Sequence, residues 1–344
     1  MPAGTRLKGA TLKLETYLYM NNNIYPLVSI VIPVFGVEKY IEKCSRSLFE
    51  QDYPDIEFIF VNDHTTDNSI KILESLIKEY PQREKDIYII NKQQNEGLPQ
   101  ARATGLKYCH GSYIIHVDSD DWVEPNYISS LVQKALESKA EIVWCDYLIE
   151  TTTQSEQIIN NYETDSQIEI LKKLLTGEFH SAVWNKLISK NLYTPETEFT
   201  RFNQLEDLVL TTQHFLNAKK WAYVPRLLYH YRINNTSLSF SDKRIKKRCY
   251  EEYYNFKKVL HYLKKKNINL SELEPVLSNR INGLKMALLK YPENRDFEEI
   301  KSFYPESIKN LYSLHAPFLG KFKLYLFAKF NLKIIYKLLD YIHR

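Results

Sequence analysis

The sequence predicts an α/β domain with a mainly parallel sheet and flanking helices, followed by a C-terminal helical extension. Short apolar runs rich in β-branched residues alternate with longer segments of helical periodicity up to about residue 150, and helical patterns dominate from residue 243 onward. The 344 residues are 44% hydrophobic and 26% charged. This composition can bury a sizeable core and excludes a disordered chain.

The alternation can be assigned element by element. Strands are predicted at 28–34, 56–61, 87–90, 113–117 and 141–144, with helices between them at 37–50, 68–80, 98–109 and 126–138. Helical patterns at 166–176 and 204–217 and a strand-like run at 221–231 complete the predicted domain. Parallel strands in such βαβ units are joined by right-handed crossovers, and ligands bind beyond the carboxyl ends of the strands.

Charge is divided unevenly along the chain. Residues 241–344 hold 22 Lys and Arg against 11 Asp and Glu, a net charge of +11, whereas residues 1–240 hold 24 against 31, a net charge of −7. We therefore predict an α/β domain at 25–240 and a basic helical region at 241–344. Residues 1–24 show little pattern and are predicted to be an N-terminal extension, disordered or non-native.

Cysteine usage and hydropathy favour a cytoplasmic protein. The four cysteines are spread along the chain without a CxxC pair, which favours reduced thiols over disulfides or a zinc site. No apolar run of signal-peptide length precedes residue 25, and none reaches the roughly 18 residues of a membrane span.

The sharpest chemical signal is an acidic loop directly after the fourth predicted strand. Asp118, Asp120 and Asp121 follow the run YIIHV, and their carboxylates would repel one another unless a cation were present. In an extended backbone Asp118 and Asp120 point to one side while Ser119 faces away. Such oxygen ligands suit Mg²⁺ or Mn²⁺. The alternative is a solvated acidic turn that caps the helix after Pro125.

Two further polar loops follow predicted strands. Asp63 lies at the tip of the second strand, where a carboxylate can bind a base or a ribose, although capping the next helix is the more usual role. Asn95 and Gly97 lead into the helix that carries Arg102, whose cation can meet an anion. The sequence contains no Walker motif and no GxGxxG motif, which disfavours kinases and dehydrogenases.

Four motifs in this order resemble the GT-A glycosyltransferases of family 2. The family motifs VSIIIPVYN, VDDGSTD, NxGxxxARNxG and LDSDD correspond here to VSIVIPVFG, VNDHTTDNS, NEGLPQARATG and VDSDDW. The resemblance implies a Rossmann-like GT-A fold and sugar transfer with inversion from a nucleotide-diphosphate donor. The sequence departs from the family at four positions of note: Asn62 replaces an aspartate, His64 replaces a glycine that often needs a positive φ, Gly36 replaces an asparagine, and Ala103 replaces the asparagine after Arg102.

The resemblance also implies a nucleotide site. Pro33 and Phe35 would line the base pocket, and Asp63 would bind the uracil edge. Asn95 and Arg102 would help to hold the nucleotide.

The acidic loop and the end of the last strand would complete this site. By the same resemblance, Asp118 would touch the ribose, Ser119 would belong to the nucleotide-sugar site, and Arg232 would reach the diphosphate. Asp120 would ligate the Mn²⁺ or Mg²⁺ that bridges the phosphates, with Asp118 and His230 in the metal shell.

Glu206 and Asp207 open a predicted helix and look like the family's acidic pair on the acceptor side. Asp207 is the candidate base that takes the proton of the acceptor hydroxyl. The alternative for both carboxylates is stabilisation of the first turn by the helix dipole.

The last predicted helix, at 318–342, is basic and amphipathic. Lys329, Lys333 and Lys337 lie on one stripe, which predicts peripheral contact with an anionic membrane surface. The alternative is a final core helix packed on the α/β domain.

The sequence as a whole therefore predicts a metal-dependent hexosyl- or N-acetylhexosaminyltransferase. It would use a UDP-sugar and a saccharide or lipid-linked acceptor in cell-surface polysaccharide synthesis, on the inner face of the cell membrane. Nucleic acid is not an expected partner, and the oligomeric state is left open. Two alternatives are a catalytically silent sugar-nucleotide-binding protein and a nucleotidyltransferase, which would release pyrophosphate.

Overall fold

A mixed sheet of nine strands forms the centre of the computed structural model, which describes residues 25–151, 154–160, 164–233, 242–289, 297–314 and 318–329. The N-terminal extension predicted at 1–24 and the part of the tail helix predicted at 330–342 lie outside these residues.

Six of the nine strands follow predicted apolar runs. The strands are β1 (Val28–Val34), β2 (Ile56–Asn62), β3 (Ile87–Asn91), β4 (Tyr113–His116), β5 (Trp122–Val123), β6 (Ile142–Glu150), β7 (Ser155–Ile158), β8 (Lys186–Ser189) and β9 (Trp221–Arg232). The short strands β5, β7 and β8 were not among the predictions. Their order is β3-β2-β1-β4-β8-β6-β9-β5, and β7 pairs with β6. All seven residues of β1 are buried, as expected for a central strand covered on both faces.

The sheet is parallel in its first half and mixed beyond β4. β1 pairs in parallel with β2 and β4, and β2 pairs in parallel with β3, as the βαβ alternation predicts. β8 then runs antiparallel to both β4 and β6, while β6 and β9 pair in parallel. The carboxyl ends of β1, β2 and β4 consequently meet at one edge of the sheet.

The α-helices of the described residues also match the predicted segments. They are α1 (Ile41–Phe49), α2 (Ser69–Ile77), α3 (Leu98–Leu106), α4 (Tyr127–Ser138), α5 (Gln167–Thr176), α6 (Glu206–Asn217), α7 (Asp242–Lys265), α8 (Leu270–Leu289), α9 (Phe297–Ser302) and α10 (Phe318–Lys329). Local sequence explains the ends of α5: the Ser166 hydroxyl accepts from the backbone N–H of Glu169, and Gly177 closes the helix at φ +84°.

The C-terminal helices share a hydrophobic core with the α/β domain. One cluster joins Trp144 of β6 and Phe215 of α6 to Phe256 of α7, Ile281 of α8 and Leu324 of α10. The division near residue 240 therefore stays a prediction, and residues 234–241 lie outside the described part of the chain.

The described part of the tail helix is packed on this core. Leu324 and Phe327 of α10 are buried in it, which supports the alternative of a core helix for this segment. The predicted positions Lys333 and Lys337 fall outside the described residues. Among the helices that the structure describes, none has both the length and the apolar character needed to cross a bilayer.

Gly105 allows α3 to lie close against the sheet. A Cβ atom at this position would stand 2.5 Å from Cγ1 of Val31 and 3.1 Å from Cγ2 of Val61. Both contacts are with β-branched side chains of central strands, which have little freedom to move. A glycine is therefore needed at the helix position that faces β1 and β2.

We predict that Gly105→Ala lowers the free energy of unfolding by about 1–3 kcal/mol through overpacking. Urea denaturation measures the loss. Gly283→Ala in α8 is the matched control, since a Cβ atom there meets nothing within 4 Å. Alanine should be neutral at that position or stabilise by up to about 1 kcal/mol through helix propensity. Equal unfolding midpoints for the two variants would contradict the packing argument.

Candidate functional site

A cavity of about 640 Å³ opens at the sheet edge where β1, β2 and β4 end. Predicted site residues on its wall are Pro33, Phe35, Asp63, Asn95, Asp118, Ser119, Asp120 and Arg232. The structure thus brings together eight of the predicted residues from five separate segments of the chain. Their individual roles stay predictions.

Asp63 is held by contacts on the floor of this cavity. Its carboxylate accepts from Lys92 Nζ at 2.6 Å and from the backbone N–H of Gly97 at 2.8 Å. At the start of α2 it is the carboxylate of Asp67 that accepts from the backbone N–H of Ser69, at 3.1 Å. Asp63 therefore links the end of β2 to the loop before α3, and the capping alternative does not describe it.

The turn next to Asp63 has the backbone conformation that the glycine of the family motif VDDGSTD predicts. His64 adopts φ +61°, the left-handed conformation for which the family uses glycine. Gly36 has φ +69°, and its N–H donates to Thr65 Oγ1 at 2.9 Å. The departures at His64 and Gly36 are thus compatible with the local backbone.

Internal contacts fix the acidic loop. Ser119 Oγ donates to the carbonyl of Pro33 at 2.6 Å, which ties the loop to the end of β1. Asp121 accepts from the Arg232 backbone N–H and from Tyr229 Oη, both at 2.7 Å. Ser119 and Asp121 therefore shape the loop, and the carboxylates of the neighbouring Asp118 and Asp120 line the cavity.

The electrostatics of Asp120 favour a cation. Burial, together with the negative charge of Asp118, raises the pKa of Asp120 to about 6. The described residues contain no group of three or more acidic, histidine or cysteine side chains that could hold a metal. Two carboxylates suit a Mg²⁺-like ion that takes its remaining ligands from phosphates and water. The donor set thus fits a cation that is shared with a diphosphate.

His230 does not join this pair of carboxylates. Its Nδ1 lies 3.0 Å from Glu150 Oε1 and its Nε2 lies 2.8 Å from Glu124 Oε1. The ring also stacks on Trp122 with centroids 3.3 Å apart. Both nitrogens are engaged with carboxylates, so the structure argues against the predicted place of His230 in the metal shell.

Arg102 has a different position from the predicted one. Its side chain is 0% exposed and lies outside the cavity wall, so it is not placed to hold a nucleotide directly. The guanidinium instead binds Asp118 through Nη2 at 2.7 Å and Asp207 through Nη1 at 2.6 Å. Nη1 also contacts Glu206. One buried cation therefore joins the acidic loop to the start of α6.

The two acidic residues at the start of α6 differ in solvent exposure. Glu206 is buried, and this burial, with repulsion from Asp207 and Asp118, raises its pKa well above the ordinary value although Arg102 opposes the shift. The Asp207 side chain is 24% exposed. Asp207 is thus the member of the pair that a second substrate can reach.

Tyr231 is a cavity residue that the sequence analysis did not select. Its ring stacks on Trp184 at 5.4 Å and 9°. Burial, reinforced by the nearby carboxylates of Asp121 and Asp118, raises the pKa of Tyr231 to about 12, so the phenol remains a hydrogen-bond donor near neutral pH. The prediction of Arg232 as a site residue pointed to β9. Strand alternation alone, however, did not show which face of β9 lines the cavity, so Tyr231 was missed.

Comparison with known proteins identifies the family. Residues 29–194 match the model of Glycosyl transferase family 2. The chain is 32% identical over 224 residues to glycosyltransferase GlyA of Streptococcus pneumoniae, with 62% of this chain and 31% of GlyA covered. It is 31% identical over 234 residues to the putative glycosyltransferase EpsH of Bacillus subtilis, with 66% and 65% covered.

A relative from Campylobacter jejuni has a more specific name. The chain is 26% identical over 175 residues to the GalNAc(5)-diNAcBac-PP-undecaprenol beta-1,3-glucosyltransferase of that organism, with 50% of this chain and 56% of the relative covered. The matched segments span less than two thirds of the length of each of these three relatives.

Solved structures share the fold. TarS 1–349 of S. aureus in complex with UDP-GlcNAc superposes with a TM-score of 0.57 at 17% identity, covering 88% of this chain and 90% of that one. The Pyrobaculum calidifontis mannosyltransferase PcManGT, in complex with GDP-Man and Mn²⁺, gives a TM-score of 0.55 at 13% identity, covering 97% and 92%. The predicted GT-A fold with a helical extension is confirmed. The matched family model shows that residues 29–194 form a glycosyl transferase family 2 domain.

Proposed function

We propose that the protein is an inverting, metal-dependent glycosyltransferase that moves a hexosyl or N-acetylhexosaminyl group from a UDP-sugar to an acceptor hydroxyl. The observation that carries this proposal is the double ion pair of Arg102 with Asp118 and Asp207. This contact holds Asp118, which lines the cavity, at a fixed position relative to Asp207, which is accessible on α6. Transfer between a donor and an acceptor requires that the two binding sites be held in a fixed relative position.

The chain's own residues suit the two halves of this reaction. Asp207 accepts the proton of the acceptor hydroxyl while the oxygen of that hydroxyl bonds to the anomeric carbon. The bond from this carbon to the diphosphate oxygen breaks on the opposite face, and the configuration is inverted. A Mn²⁺ or Mg²⁺ ion held by Asp118 and Asp120 would neutralise charge on the leaving diphosphate.

Substrate class and setting are drawn from the resemblance and the named relatives. A UDP-linked donor accords with the UDP-GlcNAc bound to TarS, although PcManGT holds GDP-Man. The name of the Campylobacter relative supports a lipid-linked saccharide as acceptor and cell-surface polysaccharide synthesis as the setting. We place the protein in the cytoplasm, with peripheral contact of residues 318–342 at the inner face of the membrane.

Asp207→Asn should abolish sugar transfer while the protein still binds UDP with Mn²⁺. Removal of a general base is expected to cost about 10²–10⁴ in rate. A UDP-release assay with a panel of UDP-sugars and saccharide acceptors measures transfer, and the thermal shift given by UDP with Mn²⁺ measures binding.

Glu206→Gln is the matched control for this variant. Glutamine has nearly the shape of glutamate, and its amide oxygen can keep the contact with Arg102, so transfer should fall by less than about tenfold. Equal transfer by the wild type and Asp207→Asn would remove Asp207 as the base. A wild type that binds UDP with Mn²⁺ but never releases UDP above background would favour the silent binding protein. Release of pyrophosphate from a nucleoside triphosphate would favour the nucleotidyltransferase.

Chelation and Asp120→Asn should have the same effect on donor binding. UDP with Mn²⁺ should raise the melting temperature of the wild type, because a ligand that binds only the folded state stabilises it. Both EDTA and Asp120→Asn should remove most of this rise, since Asp118 alone holds a cation weakly. Asp52→Asn is the control, because Asp52 is exposed and does not line the cavity. An undiminished rise in Asp120→Asn would contradict the metal site.

A further inference from the structure

A second cavity lies in the C-terminal helical region and shares no residue with the first. Its volume is about 210 Å³. Three lysines line it from three helices, Lys285 of α8, Lys301 of α9 and Lys329 of α10. Apolar side chains form the rest of the wall, among them Ile308 and Phe327. Three ammonium groups at one apolar cavity repel each other unless an anion lies between them.

Lys285 is the buried member of this group. Its side chain is 4% exposed, and its Nζ has two acceptors, the Tyr304 carbonyl and Ser307 Oγ, both at 3.4 Å. These distances are at the long limit for a hydrogen bond. Burial lowers the pKa of Lys285 to about 8, with Glu306 acting weakly in the opposite direction.

None of the three lysines forms an ion pair with any residue that the structure describes. Buried cations in proteins are normally paired. The described residues that line the cavity thus include three lysines and no carboxylate, which is the arrangement of an anion site.

The outer face of α10 suggests where this anion comes from. Phe318, Phe322 and Tyr325 are 83%, 44% and 44% exposed, and their i, i+4, i+7 spacing puts them on one stripe of the helix. Leu324 and Phe327 of the same helix face the core and the cavity wall. An exposed aromatic stripe on a basic helix is typical of a segment that lies in a membrane interface.

We propose that the lysine cavity binds the phosphate group of an anionic phospholipid, with the aromatic stripe of α10 resting in the membrane interface. The volume lies below the roughly 300 Å³ at which pockets for drug-sized ligands begin, so a headgroup phosphate fits the cavity better than a nucleotide. The net charge of +11 over residues 241–344 favours attraction of this region to an anionic surface. The inference rests on the proposed peripheral contact of residues 318–342 with the membrane, and the lysine cavity shares no residue with the glycosyl-transfer site.

The test is flotation of the full chain with vesicles of phosphatidylcholine. Phosphatidic acid, at about 20 mol%, is included or left out as the anionic probe. The wild type should float with phosphatidic acid and remain free with phosphatidylcholine alone. Lys301→Ala with Lys329→Ala should weaken binding by about fivefold per lysine removed. Lys285→Met should weaken it further, and Phe322→Ser should weaken it without changing the charge.

A triple variant with Lys71, Lys78 and Lys85 replaced by alanine is the matched control. These lysines are exposed on the α/β domain, and their removal takes away as much charge as removal of the three cavity lysines. Binding should be nearly unchanged. The double variant of the more exposed lysines keeps the test interpretable if Lys285→Met fails to fold, which circular dichroism reports.

Three outcomes would overturn the proposal. The first is that the wild type does not float with vesicles that contain phosphatidic acid. The second is that the cavity variants and the control variant lose vesicle binding equally, which would indicate non-specific attraction between charges. The third is that inorganic phosphate raises the melting temperature of the wild type but not of the cavity variants, while the wild type does not bind vesicles. The ligand of the cavity would then be a free phosphate. UDP release with a soluble acceptor is measured in parallel, so failure of lipid binding and failure of the proposed transfer can be told apart.

Discussion

One buried guanidinium organises the candidate site. Moving a charge out of water is costly, and the cost is offset only by close partners of opposite sign. Arg102 has three such partners, Asp118 from the acidic loop and Glu206 and Asp207 from α6. Burial and the negative charges of Asp207 and Asp118 raise the pKa of Glu206, while Arg102 opposes this shift. The pairs with Asp118 and Asp207 then set the relative position of two elements far apart in sequence.

The loops around the cavity are fixed before any ligand binds. Ser119 anchors the acidic loop to Pro33, and Asp121 anchors it to Tyr229 of β9. Lys92 binds Asp63 and so connects the end of β2 to the segment between β3 and α3. Each contact joins the tip of one strand to another segment, so the cavity wall is preorganised for a charged ligand.

Most strands and helices were predictable because each has its own periodicity and its own turn residues, as at Ser166 and Gly177 of α5. The short strands β5, β7 and β8 were not predicted, and neither was the antiparallel pairing of β8, since a four-residue strand has no pattern that specifies its partner. The motifs located the cavity, but not the direction of Arg102 or His230. Those directions depend on partners that lie 104 and 106 residues away in Glu206 and Glu124, and local sequence carries no information on such contacts.

The helical extension also supports the acceptor side of the site. Asn255 of α7 donates through Nδ2 to the carbonyls of Phe202 and Gln204, at 2.9 and 2.6 Å, just before α6 begins. Glu251 of α7 accepts from the backbone N–H of Gln204 at 3.3 Å. The segment that leads to Asp207 is thus held from behind by α7, while Arg102 holds Asp207 itself from the α/β domain. The shared core gives this arrangement its rigidity, so the basic helices are part of the framework that positions the candidate base.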